Sequence, residues 1–177
     1  MKIDWKNITI RNLAALVCHA LTKVGIDAVL VGGACVSIYT DNTYVSYDLD
    51  FVSHASLKDI AEILSGLGFQ RESSRHFIRK DCPFFIEFVA PPVSVGNEPI
   101  KKEEMVKTRY GSLRLLTPTD SVKDRLASYY HWNDPQALEQ AIMVAKAQKV
   151  KMTEIRKWSE KEDHKEKFDT FFRMLKA

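Results

Sequence analysis

The stretch that decides the fold is residues 29–52, VLVGGACVSIYTDNTYVSYDLDFV. Its first apolar run ends in the pair Gly32-Gly33, and a second run, rich in residues that favour strands, ends with Asp48 and Asp50. Because side chains alternate along a strand, the two aspartates are predicted to point to one face while the residue between them points into the core. Two carboxylates on one rigid face form a candidate metal site.

The glycine pair follows a short apolar strand, predicted over residues 26–31, and precedes a short helix predicted over residues 34–40. A glycine turn at a helix start lets backbone N–H groups approach a phosphate closely, and the helix dipole adds to the attraction. The stretch lacks both the Gly-Lys-Ser/Thr of a Walker loop and the GxGxxG of dinucleotide-binding folds. Taken alone, the pair indicates no more than a turn.

The composition excludes several classes of protein. With 177 residues, of which 45% are hydrophobic and 28% charged, the chain matches an ordinary soluble globular protein. No apolar run approaches the roughly 18 residues of a membrane span, and the beginning, MKIDWKNITI, does not resemble a secretion signal. We therefore expect a cytoplasmic protein that does not insert into a membrane.

The three cysteines, Cys18, Cys35 and Cys82, are widely spaced and embedded in apolar stretches. Zinc sites use close pairs of cysteines, and disulfide frameworks use even numbers of them. All three are therefore expected to be reduced, buried side chains without a metal or redox role.

The charge is uneven along the chain. Residues 1–100 carry 9 Lys and Arg against 11 Asp and Glu, whereas residues 101–177 carry 17 against 12. This asymmetry suits a polyanionic ligand held between an acidic half and a basic half. Solvated helix faces would give the same distribution, so both interpretations stay open.

Helical and strand-like patterns alternate through the rest of the chain. Further helices are predicted over residues 8–24, 57–69, 118–130 and 135–148, from a cap at Thr153, and over 164–176. Further strands are predicted over residues 43–52, as a meander over 69–72, 75–80 and 83–90, and as a hairpin within 105–116. Aromatic residues of the helical tail are interpreted as packing groups, and His131, Trp132 and Asp134 as a capping and packing arrangement.

Glu87 lies within the apolar run PFFIEFVA, where an unpaired buried carboxylate would be costly. One interpretation is a salt bridge to Arg79 or Lys80 on the neighbouring strand. The other is a third metal-binding carboxylate beside Asp48 and Asp50. The sequence leaves both open.

The order of strand, Gly-Gly turn, short helix, Asp-X-Asp strand and later strand with a lone acid is similar to the DNA polymerase β-like nucleotidyltransferase superfamily. The resemblance covers roughly residues 10–90 and puts Gly32, Gly33, Asp48, Asp50 and Glu87 at the matching positions. It implies an α+β fold with a mixed sheet flanked by helices. We expect a catalytic core over residues 1–100 and a mainly helical subdomain over residues 101–177.

Two later segments, PPVSVGNEPI and TPTDSVKDRLASYYHWND, look like those of small single-chain members related to toxin-antitoxin and abortive-infection nucleotidyltransferases. The chain also departs from the common pattern. Gly33 stands where Ser is frequent, the interval to Asp48 is long, and Tyr44 and Ser46 stand where many relatives have Arg and Thr. These departures concern the nucleotide contacts more than the metal site.

The resemblance implies transfer of a nucleotidyl group from a nucleoside triphosphate to an acceptor hydroxyl, with two Mg²⁺ or Mn²⁺ ions. Asp48 and Asp50 would bind both ions. Glu87 would bind the ion that activates the hydroxyl. The Gly32-Gly33 backbone would cradle the phosphates, with help from the Ser37 hydroxyl.

Lys123 and Arg125 are candidates to neutralise the triphosphate, although local pairs with Asp120 or Asp124 explain them equally well. The acceptor, whether RNA, protein or small molecule, is not specified by the sequence. A catalytically degenerate binding module, such as one partner of a toxin-antitoxin pair, is the alternative to an active enzyme. An unrelated α+β protein with a structural Asp-X-Asp is a further alternative.

Overall fold

A computed structural model describes residues 3–177 and shows a mixed sheet flanked by helices, as predicted. The helices are α1 (Ile10–Thr22), α2 (Gly32–Tyr39), α3 (Leu57–Gly66), α4 (Pro118–Trp132), α5 (Pro135–Ala147), α6 (Met152–Lys161) and α7 (Lys165–Lys176). The strands are β1 (Val29–Val31), β2 (Asp48–Val52), β3 (Gln70–Arg71), β4 (His76–Ile78), β5 (Phe85–Val89), β6 (Ser94–Val95), β7 (Glu98–Pro99), β8 (Glu103–Thr108) and β9 (Gly111–Leu116).

Seven strands form one sheet in the order β3-β4-β5-β2-β1-β9-β8, and β6 and β7 form a separate hairpin. The pairs β2–β5 and β1–β9 are parallel, and the other pairs are antiparallel. Helix α1 packs on β8 and β9, α2 packs on β1 and β2, and α4 and α5 pack on α2. The strand that carries the aspartates therefore lies in the interior of the sheet.

Strand β2 is shorter than the predicted strand over residues 43–52. Asp41 and Asn42 adopt positive φ angles, and the backbone N–H of Ser46 donates to the Ser37 hydroxyl instead of to a neighbouring strand. Residues before Asp48 therefore form a loop, which we call the 43–47 loop. Within β2 the predicted alternation is confirmed, since Leu49 is buried and the two aspartates are half-buried.

The expected boundary at residue 100 does not coincide with the end of the sheet. Strands β8 and β9 form the predicted hairpin, and β9 then pairs with β1 in parallel through Leu30 and Leu115, which are both buried. Helix α1 covers this hairpin. The purely helical part of the chain therefore begins at Pro118, after the sheet is complete.

The helical part matches the predicted helices within a few residues. Thr117 caps α4 by accepting from the backbone N–H of Asp120, with Pro118 in the first turn, as expected from the sequence. Thr153 is not a cap, because α6 begins one residue earlier and has no side-chain cap. Trp158, Phe168, Phe171 and the other large side chains of this part fill the core, as predicted.

The three cysteines are free thiols; Cys18 and Cys35 are buried, whereas Cys82 is only partly so. Among residues 3–177, no helix is both long enough and apolar enough to cross a membrane.

Candidate active site

Three polar residues lie side by side across the centre of the sheet. Asp50 on β2 is directly opposite Glu87 on the parallel strand β5, and Glu87 is opposite His76 on the antiparallel strand β4. Asp48 precedes Asp50 by two residues and so lies on the same face of β2. The structure thus places the three predicted carboxylates on two adjacent strands, and we call Asp48, Asp50 and Glu87 the acidic row.

Asp50 shows how closely these charges interact. Burial, together with the negative charges of Asp48 and Glu87, raises the pKa of its carboxyl to about 7, while the charge of Arg125 opposes this shift. Its Oδ2 atom lies against Gly32, where the Cβ atom of any larger residue would come within 2.5 Å of that oxygen. A cation bound at this point would relieve the repulsion among the three carboxylates.

The other two carboxylates have partners of their own. The Ser46 hydroxyl donates to Asp48 Oδ1 at 2.5 Å, and His76 Nε2 lies 3.0 Å from Glu87 Oε2. As these side chains stand, no group of three or more His, Cys, Asp and Glu residues within the described part of the chain is arranged to hold a metal ion. The acidic row therefore fits a divalent ion in ligand type and placement on the sheet, but Asp48 and Glu87 point to other partners.

The expected ion pairs of Glu87 with Arg79 or Lys80 do not form. Arg79 pairs instead with Asp81 at 2.7 Å and lies over the ring of Trp5. Glu87 is half-buried and its partner is His76. The antiparallel register of β4 and β5 puts the histidine beside the acid, a neighbour that the sequence does not identify without the register.

The glycine pair forms the start of α2, as predicted. Gly32 has a φ angle of +69°, which a residue with a side chain rarely adopts, and Val31 provides no side-chain cap for the helix. At Gly33 a Cβ atom would lie 3.1 Å from the Ser46 hydroxyl. The first-turn N–H groups of α2 thus have no side-chain cap and begin beside Asp50.

Ser37 does not face a nucleotide site. It is fully buried, its hydroxyl donates to the Gly33 carbonyl at 3.4 Å, and it accepts from the backbone N–H of Ser46 at 2.8 Å. This hydroxyl ties the glycine turn to the loop before Asp48. Its predicted contact with a nucleotide therefore has no support from the geometry, and its role is to position Ser46.

Lys123 and Arg125 lie on different faces of α4. Lys123 is 3% exposed, and its Nζ lies 2.8 Å from Glu154 and 3.5 Å from Asp120. Residues two apart on a helix point about 200° from each other. Lys123 is therefore a structural ion-pair residue between α4 and α6, and the geometry does not bring it to the acidic row.

Arg125 lies close enough to the acidic row for its positive charge to oppose the raised pKa of Asp50. The guanidinium donates to Asp124 at 3.0 and 2.6 Å and to the buried Gln140 on α5 at 3.4 Å. The expected local pair with Asp124 thus forms, and the same guanidinium also reaches Gln140 on α5. Asp124 and Gln140 were not among the predicted site residues.

Tyr44 of the 43–47 loop is a further residue near the acidic row. Burial and the charge of Asp48 raise the pKa of its phenol. A Cβ atom on Gly33 would lie 3.5 Å from the phenol oxygen. Tyr44 therefore lies against the start of α2. Its departure from the family pattern marks the residue in the sequence, but not its place in the fold.

A cavity of about 510 Å³ lies elsewhere, on the Lys123 side of α4. Its lining includes Lys101, Lys102, Lys123, Lys149, Lys151, Glu98, Glu104, Asp120 and Glu154. The near balance of positive and negative side chains gives it no clear preference for an anion. The acidic row is not part of its lining.

The sequence matches no protein-family model, and no curated protein matches it either. Solved structures are similar in fold. An antigenic nucleotidyltransferase-like protein from Paracoccidioides brasiliensis has a TM-score of 0.56 and 15% identity over 77% of this chain and 75% of that one. The antibiotic-resistance factor ANT(2″)-Ia has a TM-score of 0.51 and 11% identity over 94% of each chain. The chain therefore has a nucleotidyltransferase-like fold.

Proposed function

We propose that this protein transfers a nucleotidyl group from a nucleoside triphosphate to an acceptor hydroxyl, with Mg²⁺ or Mn²⁺ as the cofactor. The observation that carries the proposal is the acidic row, in which Asp50 and Glu87 are in register on parallel strands and Asp48 shares their face. The uncapped glycine start of α2 lies directly beside it. The carboxylates that would bind the metal and the helix start that would bind the phosphates thus lie next to each other in the fold.

Asp48, Asp50 and Glu87 are the residues that would hold the ions, since Mg²⁺ prefers carboxylate oxygens and keeps several waters. When bound, the ions supply charge neutralisation for the phosphates and activation of the attacking hydroxyl. Burial and two acidic neighbours raise the pKa of Asp50. A positive charge bound beside Asp50 would therefore be stabilised.

The chain's own groups position the substrate. The free N–H groups of Gly32 and Gly33 would donate to phosphate oxygens, and the guanidinium of Arg125 would face the phosphates from the opposite wall. Glu87 would accept the proton of the acceptor hydroxyl, held in orientation by His76. To hold an ion in this arrangement, Asp48 would give up the hydrogen bond that it accepts from Ser46.

The second candidate is a binding module that keeps the nucleotidyltransferase fold without the reaction, for example one partner of a toxin-antitoxin pair. It is favoured by the contacts that Asp48 and Glu87 make with Ser46 and His76, since no metal-holding group is assembled among residues 3–177. Intact carboxylates at all three positions favour the enzyme.

The decisive experiment uses each nucleoside triphosphate labelled at the α-phosphate, incubated with the protein, Mg²⁺ or Mn²⁺ and a cytoplasmic extract. We expect label to appear on an RNA, a protein or a small molecule and to disappear with Asp48→Asn/Asp50→Asn. Lys123→Met is the matched control, since its charge lies on the other face of α4. Absence of label with all four triphosphates, while the protein still binds them, would favour the binding module.

A further inference from the structure

Strand β8 forms one edge of the seven-stranded sheet. It pairs with β9 over its whole length, and no other strand of the described chain lies on its outer side. The strand at the opposite edge, β3, has only 2 residues, whereas β8 has 6. An edge strand exposes a row of unpaired N–H and C=O groups, to which another strand can pair. The outer side of β8 is therefore the longer open edge of this sheet.

The turn after β8 determines which of its backbone groups face outward. Thr108 and Gly111 are partners across a two-residue turn, so they form a hydrogen-bonded pair. Hydrogen-bonded and non-hydrogen-bonded pairs alternate along antiparallel strands, so every second residue before Thr108 bonds to β9. The N–H and C=O groups of the residues between them, Glu103, Met105 and Lys107, therefore point away from β9.

The side chains of these three residues share one face of β8, because side chains alternate along a strand. Met105 is 59% exposed, which leaves a large apolar side chain in solvent, and Lys107 is exposed as well. Glu103 is half-buried and accepts a hydrogen bond from Arg114 on β9 at 2.6 Å. The face thus carries an acid at one end, a base at the other end and an apolar side chain midway between them.

We propose that β8 pairs with β8 of a second copy of this chain, in antiparallel orientation about a twofold axis at Met105. In this register Met105 lies opposite Met105 of the second copy, and Glu103 lies opposite Lys107 of the second copy on both sides of the axis. The outward N–H and C=O groups of all three residues then meet outward groups of the other strand. Backbone bonding and side-chain charge therefore favour the same register.

The charges of β8 also argue against other symmetric registers. A twofold axis at Glu103 would place the two copies of this acid opposite each other, and an axis at Lys107 would do the same for the base. Lysine on an edge strand commonly opposes pairing, but in the register centred on Met105 it has an acid opposite it. The proposed interface joins two seven-stranded sheets into one, and it does not depend on the function proposed above.

Sedimentation equilibrium of the full chain tests the association. A pair of six-residue strands is a small interface, so concentrations up to about 200 µM are needed. The wild type should approach twice the monomer mass of 20.3 kDa. Lys107→Glu places two acids opposite each other on both sides of the axis and should raise the dissociation constant at least about tenfold. Lys58→Glu, at an exposed position on α3, makes the same change of charge and should leave the constant unchanged.

Two substitutions of Met105 test the register. Met105→Pro removes an N–H that points away from β9, so circular dichroism should show a folded chain while the dimer is lost. Met105→Cys should form an intermolecular disulfide under mild oxidation, since directly opposite residues of paired strands have Cα atoms about 5.5 Å apart. Met174→Cys on α7 is the control for an exposed thiol and should stay uncoupled.

A wild type that stays monomeric at about 200 µM would overturn the inference, because this range covers the weak dimers that small interfaces form. A dimer that Met105→Pro and Lys107→Glu both leave unchanged would mean that another surface associates, and it would overturn the inference as well. If Met105→Pro unfolds the chain, Lys107→Glu and the disulfide of Met105→Cys decide the outcome.

Discussion

Asp50 is the residue on which the electrostatics of the site converge. It lies between Gly32 on one side and Glu87 on the other, with Asp48 on the same strand. Burial and these two acids hold its pKa at about 7 instead of the ordinary 3.8. Such a shift exists only in the folded chain, so it makes the free energy of unfolding depend on pH.

This shift gives a pH prediction in the absence of divalent ions. The folded protein keeps the proton of Asp50 up to about pH 7, whereas the unfolded chain releases it near pH 3.8. The free energy of unfolding should therefore fall as the pH rises from about 4 to about 7, and Asp50→Asn should remove that fall. At pH 8 the variant should be more stable by about 2–4 kcal/mol.

Urea denaturation at pH 5 and pH 8 measures this effect. The stabilisation by Asp50→Asn should be smaller at pH 5 than at pH 8. Asp59→Asn, at the start of α3 and away from the acidic row, is the control and should not reproduce the pH dependence. Equal effects of Asp50→Asn at both pH values would contradict the account of Asp50.

Gly32 gives a second prediction for a single residue. Both Gly25 and Gly32 have positive φ angles, but a Cβ atom at Gly25 meets nothing within 4 Å, whereas one at Gly32 meets the Asp50 carboxylate. Gly25→Ala should cost about 1 kcal/mol of stability through its backbone alone. Gly32→Ala should cost about 2–3 kcal/mol and also displace Asp50.

Urea denaturation of the two variants, with Mg²⁺-nucleotide affinity measured by calorimetry, separates the two effects. Gly25→Ala should bind nucleotide as the wild type does, and Gly32→Ala should bind it more weakly. Equal losses of stability, with unchanged binding in both, would mean that the contact between Gly32 and Asp50 has no consequence.

At the scale of elements, the two faces of α4 each carry a cation with different acidic neighbours. One face carries Lys123, whose amine joins α4 to Glu154 on α6 and lowers the pKa of that acid through a hydrogen bond. The other face carries Arg125, which acts on Asp50 from beside Asp124. A single helix thus holds the helical part together and places a cation near the acidic row.

The two faces respond differently to mutation. Lys123→Met should lower the free energy of unfolding by about 2–3 kcal/mol, because it leaves Asp120 and Glu154 without their buried cation. It should leave the affinity for nucleotide unchanged. Arg125→Gln should weaken nucleotide binding several-fold. Denaturation measures the stability of both variants, and calorimetry measures their nucleotide affinity. A loss of nucleotide affinity in Lys123→Met would mean that this lysine does contact the nucleotide.

How much of the structure could be predicted from the sequence differs from one element to the next. The β2 alternation followed from period-two spacing, because Leu49 has to be buried and the aspartates then share the other face. The positions of His76 and Tyr44 could not be predicted, since they depend on strand register and on a loop whose shape is fixed by Ser37. Lys123 and Arg125 looked alike in sequence, and only the packing of α6 distinguishes them.

At the scale of the whole molecule, the sheet joins parts of the chain that the sequence assigns to different subdomains. Strand β9 pairs with β1, and α1 packs on the β8–β9 hairpin, so residues beyond 100 complete the core of the first part. The acidic row lies on strands in the interior of this sheet, beside the start of α2.

A fragment of residues 1–100 should therefore fail to fold. Without β9 it would leave β1 as an edge strand and expose the face of α1 that the hairpin covers. Circular dichroism with limited proteolysis is the measurement, and a fragment of residues 1–117, which retains the hairpin, is the comparison. Cooperative thermal unfolding of the 1–100 fragment would show that the sheet does not need its last two strands.

The central claim is that the acidic row binds a divalent ion together with a nucleoside triphosphate, and thermal unfolding tests it most directly. With Mg²⁺ and a triphosphate at about a hundred times its Kd, the Tm of the wild type should rise by about 5–10 °C. Asp48→Asn/Asp50→Asn should show no rise relative to its own Tm without ligand. The absence of a metal-dependent rise with all four triphosphates, or an equal rise in the double variant, would contradict the account.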